Sequence, residues 1–409
     1  MLYGGGWLIA AAWAAGFPLI STPEPHRLWG ISAGFGYLCA AIAAFWPSRL
    51  GARSFPVALA LTGAVVLPLL YFVLTGSGQS EVGVIERSGM LTAQQGTPYL
   101  ADPRTVGEVT PYLPGMALFG LPRAVLGEEV WLLRLLGDAR IWCAAAFLAC
   151  LWGGHKVMRR SAAREPGRAE RDYPYGLVVA VLIASPVVAM PLCVSGVDLP
   201  LVGLFCLALA FASRGLPVPA GLALAAACSL KWTALPAVAV AVCLLACVAG
   251  RRAAVRCAGA TLAGAVTLVL PSVLLSPGPM VQQVLAFPTG RGEFQTPAGS
   301  PLPGKLLADL GPVGWCAAVT LLLAGGLAVA VSLVVRPPYD LVSAADRLAV
   351  GLCLAFLLAP AGRFGYLALP VVLVVWARLA SGSRRSALGG SRLVRSSVPA
   401  KPIPAGAAR

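Results

Sequence analysis

Long apolar runs, separated by short polar connections, constrain this chain more than any other feature. Twelve can be read, at residues 5–22, 28–46, 55–75, 131–152, 174–195, 199–213, 217–230, 233–249, 255–275, 313–335, 343–360 and 363–379. A helix that crosses the hydrocarbon core of a bilayer needs about 20 mostly apolar residues. Several runs are shorter, and 199–249 can be divided in more than one way, so about 12 crossings are expected. Charged residues make up 11% of the 409 positions and apolar residues 58%. That is too few charges to clothe a soluble globule, which carries about 25%, and too much apolar surface for a disordered chain. The expected fold class is therefore an all-α, polytopic integral membrane protein.

Lys and Arg mark the cytoplasmic side of membrane proteins. One alternating set of connections, with the C-terminal tail, holds 21 of the 31 basic residues and five of the 16 acidic ones. Its net charge is +16, against −1 for the other set. This pattern predicts a plasma-membrane protein with both termini in the cytoplasm and two long outer loops, 76–130 and 276–312. The first run has no basic segment before it and reads as a retained helix rather than a cleaved signal. The chain is expected to form one membrane domain, 1–379, followed by a basic tail, 380–409, rich in Ser, Gly, Pro and Arg. The tail is expected to be disordered and drawn to anionic lipid. The basic excess is spread over short loops and the tail, so no nucleic-acid partner is expected. The eleven cysteines form no CxxC and lie in or beside apolar runs, where free Cys packs as a small hydrophobe. Two histidines, His26 and His155, are too few to suggest a His-built metal site.

Polar residues of chemical interest collect on the outer side. Glu81 and Glu86 follow the third run; a spacing of five puts them about 140° apart on a helix. Val82, Val84, Ile85, Met90 and Leu91 would give that helix an apolar side, lying flat on the membrane, until Gly96 and Pro98 end it. The segment EVTPYLPGMALFGLP is apolar but short and broken, as expected of a re-entrant or interfacial stretch. Asp198 and Lys231 each lie at an outer junction between two runs. An ionisable residue there is costly and points to function; the plainer alternatives are that the two pair with each other, or that Lys231 snorkels. Arg291, Glu293 and Lys305 lie in the second outer loop, and Arg363 and Tyr366 begin the final run. An Arg among aromatic residues at a membrane surface suits a lipid phosphate, which it can hold bidentately.

With these residues in view, the chain resembles membrane glycosyltransferases of the GT-C superfamily. More closely it resembles glycosyltransferase family 87, the polyprenol-phosphate-mannose-dependent mannosyltransferases. The resemblance runs over residues 55–380. Glu81-Val82-Gly83-Val84-Ile85 through Gly96-Thr97-Pro98-Tyr99 resembles the family's first-loop pattern of an acid, a short amphipathic helix and G-x-P-Y. Tyr112-Leu113-Pro114-Gly115 resembles its Y-x-P-P stretch. Asp198-Leu199-Pro200, Lys231-Trp232-Thr233, and Ala359-Pro360 with Arg363-Phe364-Gly365-Tyr366 resemble later elements. Two departures stand out: Glu81 occupies the place of the usual Asp, and no His lies in the late outer loop.

The resemblance implies inverting transfer of a hexose, mannose first, from a polyprenyl-phosphate donor to a glycan or glycolipid acceptor on the outer face. Glu81 would be the base and Glu86 the second choice. Lys231 and Arg363 would hold the phosphate, with Arg291 and Lys305 behind them. Asp198 would orient the sugar or Lys231, and Tyr99, Tyr112 and Tyr366 would line the substrate. Held by cations, a lipid phosphate leaves without a metal, so no metal or cofactor is expected. A transporter or lipid flippase is the alternative, though its usual marks are paired repeats and charges at mid-depth. A non-catalytic scaffold would not need so many outer polar residues near broken helices.

Overall fold

The computed structural model describes residues 2–46, 54–162 and 175–381. The tail beyond residue 381 and the connections carrying Arg49, Arg53, Arg164, Arg168 and Arg171 lie outside the described residues. The described chain is helical. Its one β pairing is a single parallel bridge between Gly299 and Gly362.

The N-terminal part holds α1 (Leu2–Ile20), α2 (Glu24–Phe45) and α3 (Ser54–Thr75), then α4 (Ser80–Gln95) in the first long loop. The middle comprises α5 (Ala139–Ala162), α6 (Tyr175–Ala184), α7 (Pro186–Val194), α8 (Leu199–Ser213), α9 (Pro217–Leu230) and α10 (Leu235–Ala249). The last part is α11 (Arg251–Leu275), α12 (Pro312–Val335), α13 (Leu341–Leu358) and α14 (Ala368–Ala380). Seven helices among the described residues are long and apolar enough to cross a membrane: α2, α3, α5, α10 with the turn before it, α11, α12 and α13. The bent pair α6–α7 would make an eighth. The other four runs form shorter apolar helices, α1, α8, α9 and α14. By length and composition, then, the protein is a multi-pass membrane protein with seven or eight qualifying spans among the described residues, and the four shorter helices account for the rest of the 12 expected runs.

Helix α8 is the centre of the bundle. Leu201, Phe205, Cys206, Ala208, Leu209 and Ala212 are all buried, and α8 packs on α5, α9, α10, α13 and α14. A helix that is apolar all round belongs in an interior. Lipid supplies no hydrophobic drive between helices, so close packing through small residues takes its place; Gly203, for example, faces Phe147 and Cys150 of α5. At the other extreme, only 11% of the apolar windows of α11 and α12 is buried. Leu323, Leu327 and Val334 are two-thirds exposed or more, a surface suited to hydrocarbon.

Prolines break two spans, and side chains from neighbours repair them, as the hydrocarbon demands. Pro68 has no N–H for the carbonyl of Ala64. That carbonyl instead accepts from Trp29 Nε1 at 2.9 Å and Cys193 Sγ at 3.4 Å, where α3 loosens into a π turn over Thr62–Val66. Pro186 bends α6 against α7 by 65°. The freed carbonyl of Leu182 accepts from Ser185 Oγ at 2.6 Å, and that of Ala184 from Tyr37 Oη at 2.6 Å.

Two expected boundaries move. The fourth run was expected at 131–152, but Trp131–Gly137 is a separate short helix and the span is Ala139–Ala162. Asp138, buried with Arg140, breaks the chain there. At the far end α5 continues past His155, Lys156 and Arg159, because long basic side chains can lie along an apolar helix and reach water at its end. Likewise α11 starts at Arg251 rather than 255, taking Arg251, Arg252 and Arg256 into its first turns.

Candidate active site

The first long loop is built around α4. Val82, Val84, Ile85, Ser88 and Gly89 are its buried positions, so Val82, Val84 and Ile85 do form an apolar side, but one packed on the segment 114–126 rather than laid on the membrane; Met90 is 40% exposed and Leu91 half-buried. Gly96, with φ 79°, ends the helix in the left-handed conformation. Beneath α4 the broken segment forms a 3-10 helix, Pro114–Phe119, and a short helix, Leu121–Leu126. Gly89 and Gly120 meet where any side chain would strike the facing backbone. This segment stays at one end of the bundle: Leu113 N donates to the carbonyl of Leu230 at 3.0 Å, and Tyr99 Oη to that of Tyr112 at 2.9 Å. Gln79 N donates to the carbonyl of Val194 at 3.0 Å and fixes the start of α4. Gln283, from the second long loop, accepts from Thr110 N at 2.9 Å and donates to the Leu100 carbonyl at 2.7 Å.

At this end two ion pairs come together from four distant parts of the chain. Glu81, in the first turn of α4, accepts from Arg363 through Oε1. Asp198, at the start of α8, accepts from Lys231 at the end of α9. Both pairs are mostly buried: side-chain exposure is 13% and 24% for Glu81 and Arg363, 18% and 13% for Asp198 and Lys231. The pairs are linked by one 3-10 turn, Phe364–Leu367, which carries Tyr366 from beside Arg363 to Lys231. The Lys231 ammonium sits 5.0 Å from the ring centre of Tyr112 and 5.5 Å from that of Tyr366. Burial works against this charge, but Asp198 and Tyr366 outweigh it and the Lys231 pKa is raised. The Tyr112 hydroxyl is also pushed well up, by burial and then by Asp198 and Tyr366, so it stays protonated. Glu81 Oε2 is buried and has no hydrogen-bond partner among the described residues.

The backbone under Arg363 is held by the second long loop. Ser300 N donates to the Gly362 carbonyl and Gly362 N to that of Ala298, both at 3.0 Å; Phe364 N reaches Ser300 Oγ at 3.3 Å.

Glu81, Asp198, Lys231, Arg363, Tyr112 and Tyr366 therefore form one cluster, with Tyr99 supporting Tyr112 from behind. The other sequence candidates lie elsewhere. Glu86 pairs with Arg123 at 3.2 Å and accepts from Ala139 N at 3.2 Å. Burial raises its pKa despite the opposing hydrogen bond and charge of Arg123. Lys305 pairs with Asp309 one turn along its own short helix, and Arg291 is exposed over the ring of Trp315 at 4.8 Å.

Sequence reasoning missed three groups here. Arg123 holds Glu86. Arg140 pairs with Asp138 at 2.7 Å and donates to the carbonyls of Ser77 at 2.9 Å and Cys193 at 3.1 Å, tying the first loop to α7. His26 lies 2.6 Å from Gln79, two residues before Glu81. The D-A-R step at an apolar boundary was the available signal for Asp138 and Arg140; nothing in the sequence joins His26 to Gln79.

Chemically the cluster offers two cations to an anion, aromatic faces beside one of them, and a carboxylate oxygen ready to accept a proton. No curated protein and no solved structure matches the chain. The model of glycosyltransferase family 87 matches residues 110–360, more than half of the sequence. That stretch includes Tyr112, Asp198 and Lys231 and excludes Glu81, Arg363 and Tyr366, so the geometry, not the match, joins the two ends of the cluster. The chain belongs to glycosyltransferase family 87, and its activity is glycosyl transfer.

Proposed function

We propose that the protein transfers a hexose, mannose in the first instance, from a polyprenyl-phosphate donor to a glycan or glycolipid acceptor at the outer face of the plasma membrane. The termini and the basic connections then lie in the cytoplasm, following the charge asymmetry of the loops. The observation that carries this reading is the divided carboxylate of Glu81: one oxygen holds Arg363 and the other is buried and unpartnered.

In the reaction Glu81 takes the proton of an acceptor hydroxyl, and the hydroxyl oxygen attacks the anomeric carbon. The bond from that carbon to the donor phosphate oxygen breaks, and the polyprenyl phosphate leaves with the electron pair. Configuration inverts. Arg363 and Lys231 stabilise the charge that grows on the leaving phosphate, the setting in which preorganised cations count most. Each cation is matched by a carboxylate in the free protein, so donor binding shares Arg363 between Glu81 and phosphate and leaves Glu81 freer to act as base. Asp198 orients Lys231, and the rings of Tyr112 and Tyr366 lie beside its ammonium. Glu86, held by Arg123, has a supporting part.

The test is transfer of radiolabelled mannose from polyprenyl-phosphate-mannose by membranes containing the protein, with analysis of the product. Consumption of the donor that is lost in Glu81→Gln supports the proposal. Membranes that leave it untouched but use another polyprenyl-phosphate sugar would change the hexose and keep the mechanism; use of no lipid-phosphate donor would reject both.

A further inference from the structure

The turn between α1 and α2 puts a histidine close to the Glu81–Arg363 pair. His26 stands in the first turn of α2 and is partly buried. Its Nε2 lies 2.6 Å from the side-chain nitrogen of Gln79 and its Nδ1 3.1 Å from Ser21 Oγ. Phe17 meets the ring edge-on, with ring centres 5.9 Å apart, and the Arg363 guanidinium lies within electrostatic reach of it. The starts of α2 and α4 and the turn at Arg363 thus share one end of the bundle. The helix ends that adjoin undescribed residues are the opposite ends of their helices; Phe45 is about 30 Å from His26 along α2.

The hydrogen bonds fix the state of the ring. Where the two nitrogens meet, the amide must donate and Nε2 accept, because an amide nitrogen offers no acceptor. A ring that accepts is neutral, and its one proton is then on Nδ1, directed to Ser21 Oγ. Gln79 is the residue just before α4, yet its side chain caps none of the helix's N–H groups, the usual task of a polar side chain at that place. The amide goes to His26 instead. Gln79 N already donates to the Val194 carbonyl. One bond leaves the turn free to pivot about it; a second, from another helix, does not. Glu81 follows in that first turn.

A histidine at the foot of a helical hairpin can serve only to close the hairpin. The contact with Ser21, five residues away, does that. The bond to Gln79, 53 residues away, adds nothing to the hairpin and reaches the segment that carries Glu81.

We propose that His26 is a positioning residue for glycosyl transfer: as a neutral acceptor it holds Gln79, and so fixes the first turn of α4 and the direction of the Glu81 carboxylate. This rests on the reading of Glu81 as the base.

The experiment is steady-state transfer of radiolabelled mannose from polyprenyl-phosphate-mannose by membranes containing the full-length protein, with kcat and donor KM measured separately. His26→Ala should lower kcat about 10-fold, within the about 100-fold that a 1 Å misplacement can cost, and leave donor KM within a few-fold. His26→Gln, whose terminal oxygen reaches the place of Nε2, should keep most of the activity; His26→Asn, which reaches only the place of Nδ1, should not. Gln79→Ala should match His26→Ala, and the double variant should be no slower than either. In the Glu81→Gln background His26→Ala should cost nothing further. The chain has only two histidines, so the nitrogen NMR spectrum of histidine-labelled protein should show His26 with its proton on Nδ1. A donor KM that rises with kcat unchanged would make His26 a donor contact and overturn the proposal. So would His26→Gln no better than His26→Ala, losses that add in full with Gln79→Ala, or a proton on Nε2. If His26→Ala leaves kcat alone while Glu81→Gln is inactive, the positioning role falls and Glu81 stands as the base. If Glu81→Gln turns over normally, the base reading falls and the positioning role with it.

Discussion

Replacing Glu81 with Gln keeps the shape of the side chain and removes its charge, and the consequences for kcat and KM should part company. The amide cannot take a proton from the acceptor, and loss of a positioned base costs about 10²–10⁴ in rate, or about 3–5 kcal/mol on the barrier. The same change frees Arg363 from its carboxylate. At 13% and 24% exposure that pair is partly screened, so its worth is set nearer the surface value of about 1 kcal/mol than that of a fully buried pair. Donor affinity should therefore hold or improve, by about 5-fold at most. The assay is single-turnover and steady-state transfer of labelled hexose, with donor KM and kcat measured separately and the melting temperature followed as a check on folding. A kcat within a few-fold of the wild type would refute Glu81 as base. A donor KM that rises in step with the fall in kcat would show that the carboxylate positions the donor instead. Glu81→Asp should keep part of the activity, since only its reach changes.

Arg363→Ala and Lys231→Ala should each raise donor KM by about 10–100-fold, the worth of a charge-assisted contact, and Arg363→Lys should stay impaired if the phosphate is held bidentately. In Asp198→Asn the burial that opposes the Lys231 charge remains while its main counter-charge is gone; donor KM should then climb as pH rises toward the alkaline range, where the wild type stays flat. Glu86→Gln should slow transfer far less than Glu81→Gln. Because burial raises the Glu86 pKa in the folded protein, its contribution to stability is present in acid and lost as pH rises through that raised value; the amide should flatten melting temperature against pH over that window. An impermeant thiol reagent should label a Cys placed at Asp102 from outside intact cells and fail at Asp340; the reverse pattern would invert the proposed topology.

The sequence carried the members of the cluster better than their partners. Glu81, Asp198, Lys231 and Arg363 stood out because a charge beside an apolar run is costly anywhere but at a site. The Asp198–Lys231 pairing was foreseeable, as both lie at neighbouring outer junctions 33 residues apart. The Glu81–Arg363 pairing spans 282 residues, and no local pattern encodes it. Two helices extend beyond their apolar runs, past Lys156 and back to Arg251, since a long basic side chain lets the helix run on past its own charge. Glu86 resembled Glu81 in type and setting; only the packing of Arg123 against it separated their surroundings. The repairs at Pro68 and Pro186 by Trp29, Cys193 and Tyr37 were illegible for a similar reason, because those donors come from other helices; only Ser185 is local.

The amide of Gln283 joins the two long loops through opposite ends of a single side chain, and this bears on how such an enzyme can be rebuilt. A transplanted first loop whose backbone does not offer an N–H and a carbonyl at the places of Thr110 and Leu100 would leave both ends of that buried amide unmatched. The two loops are thus one interchangeable part. Swaps of acceptor preference between relatives should succeed when residues 80–126 and 281–286 move together, and fail when either moves alone.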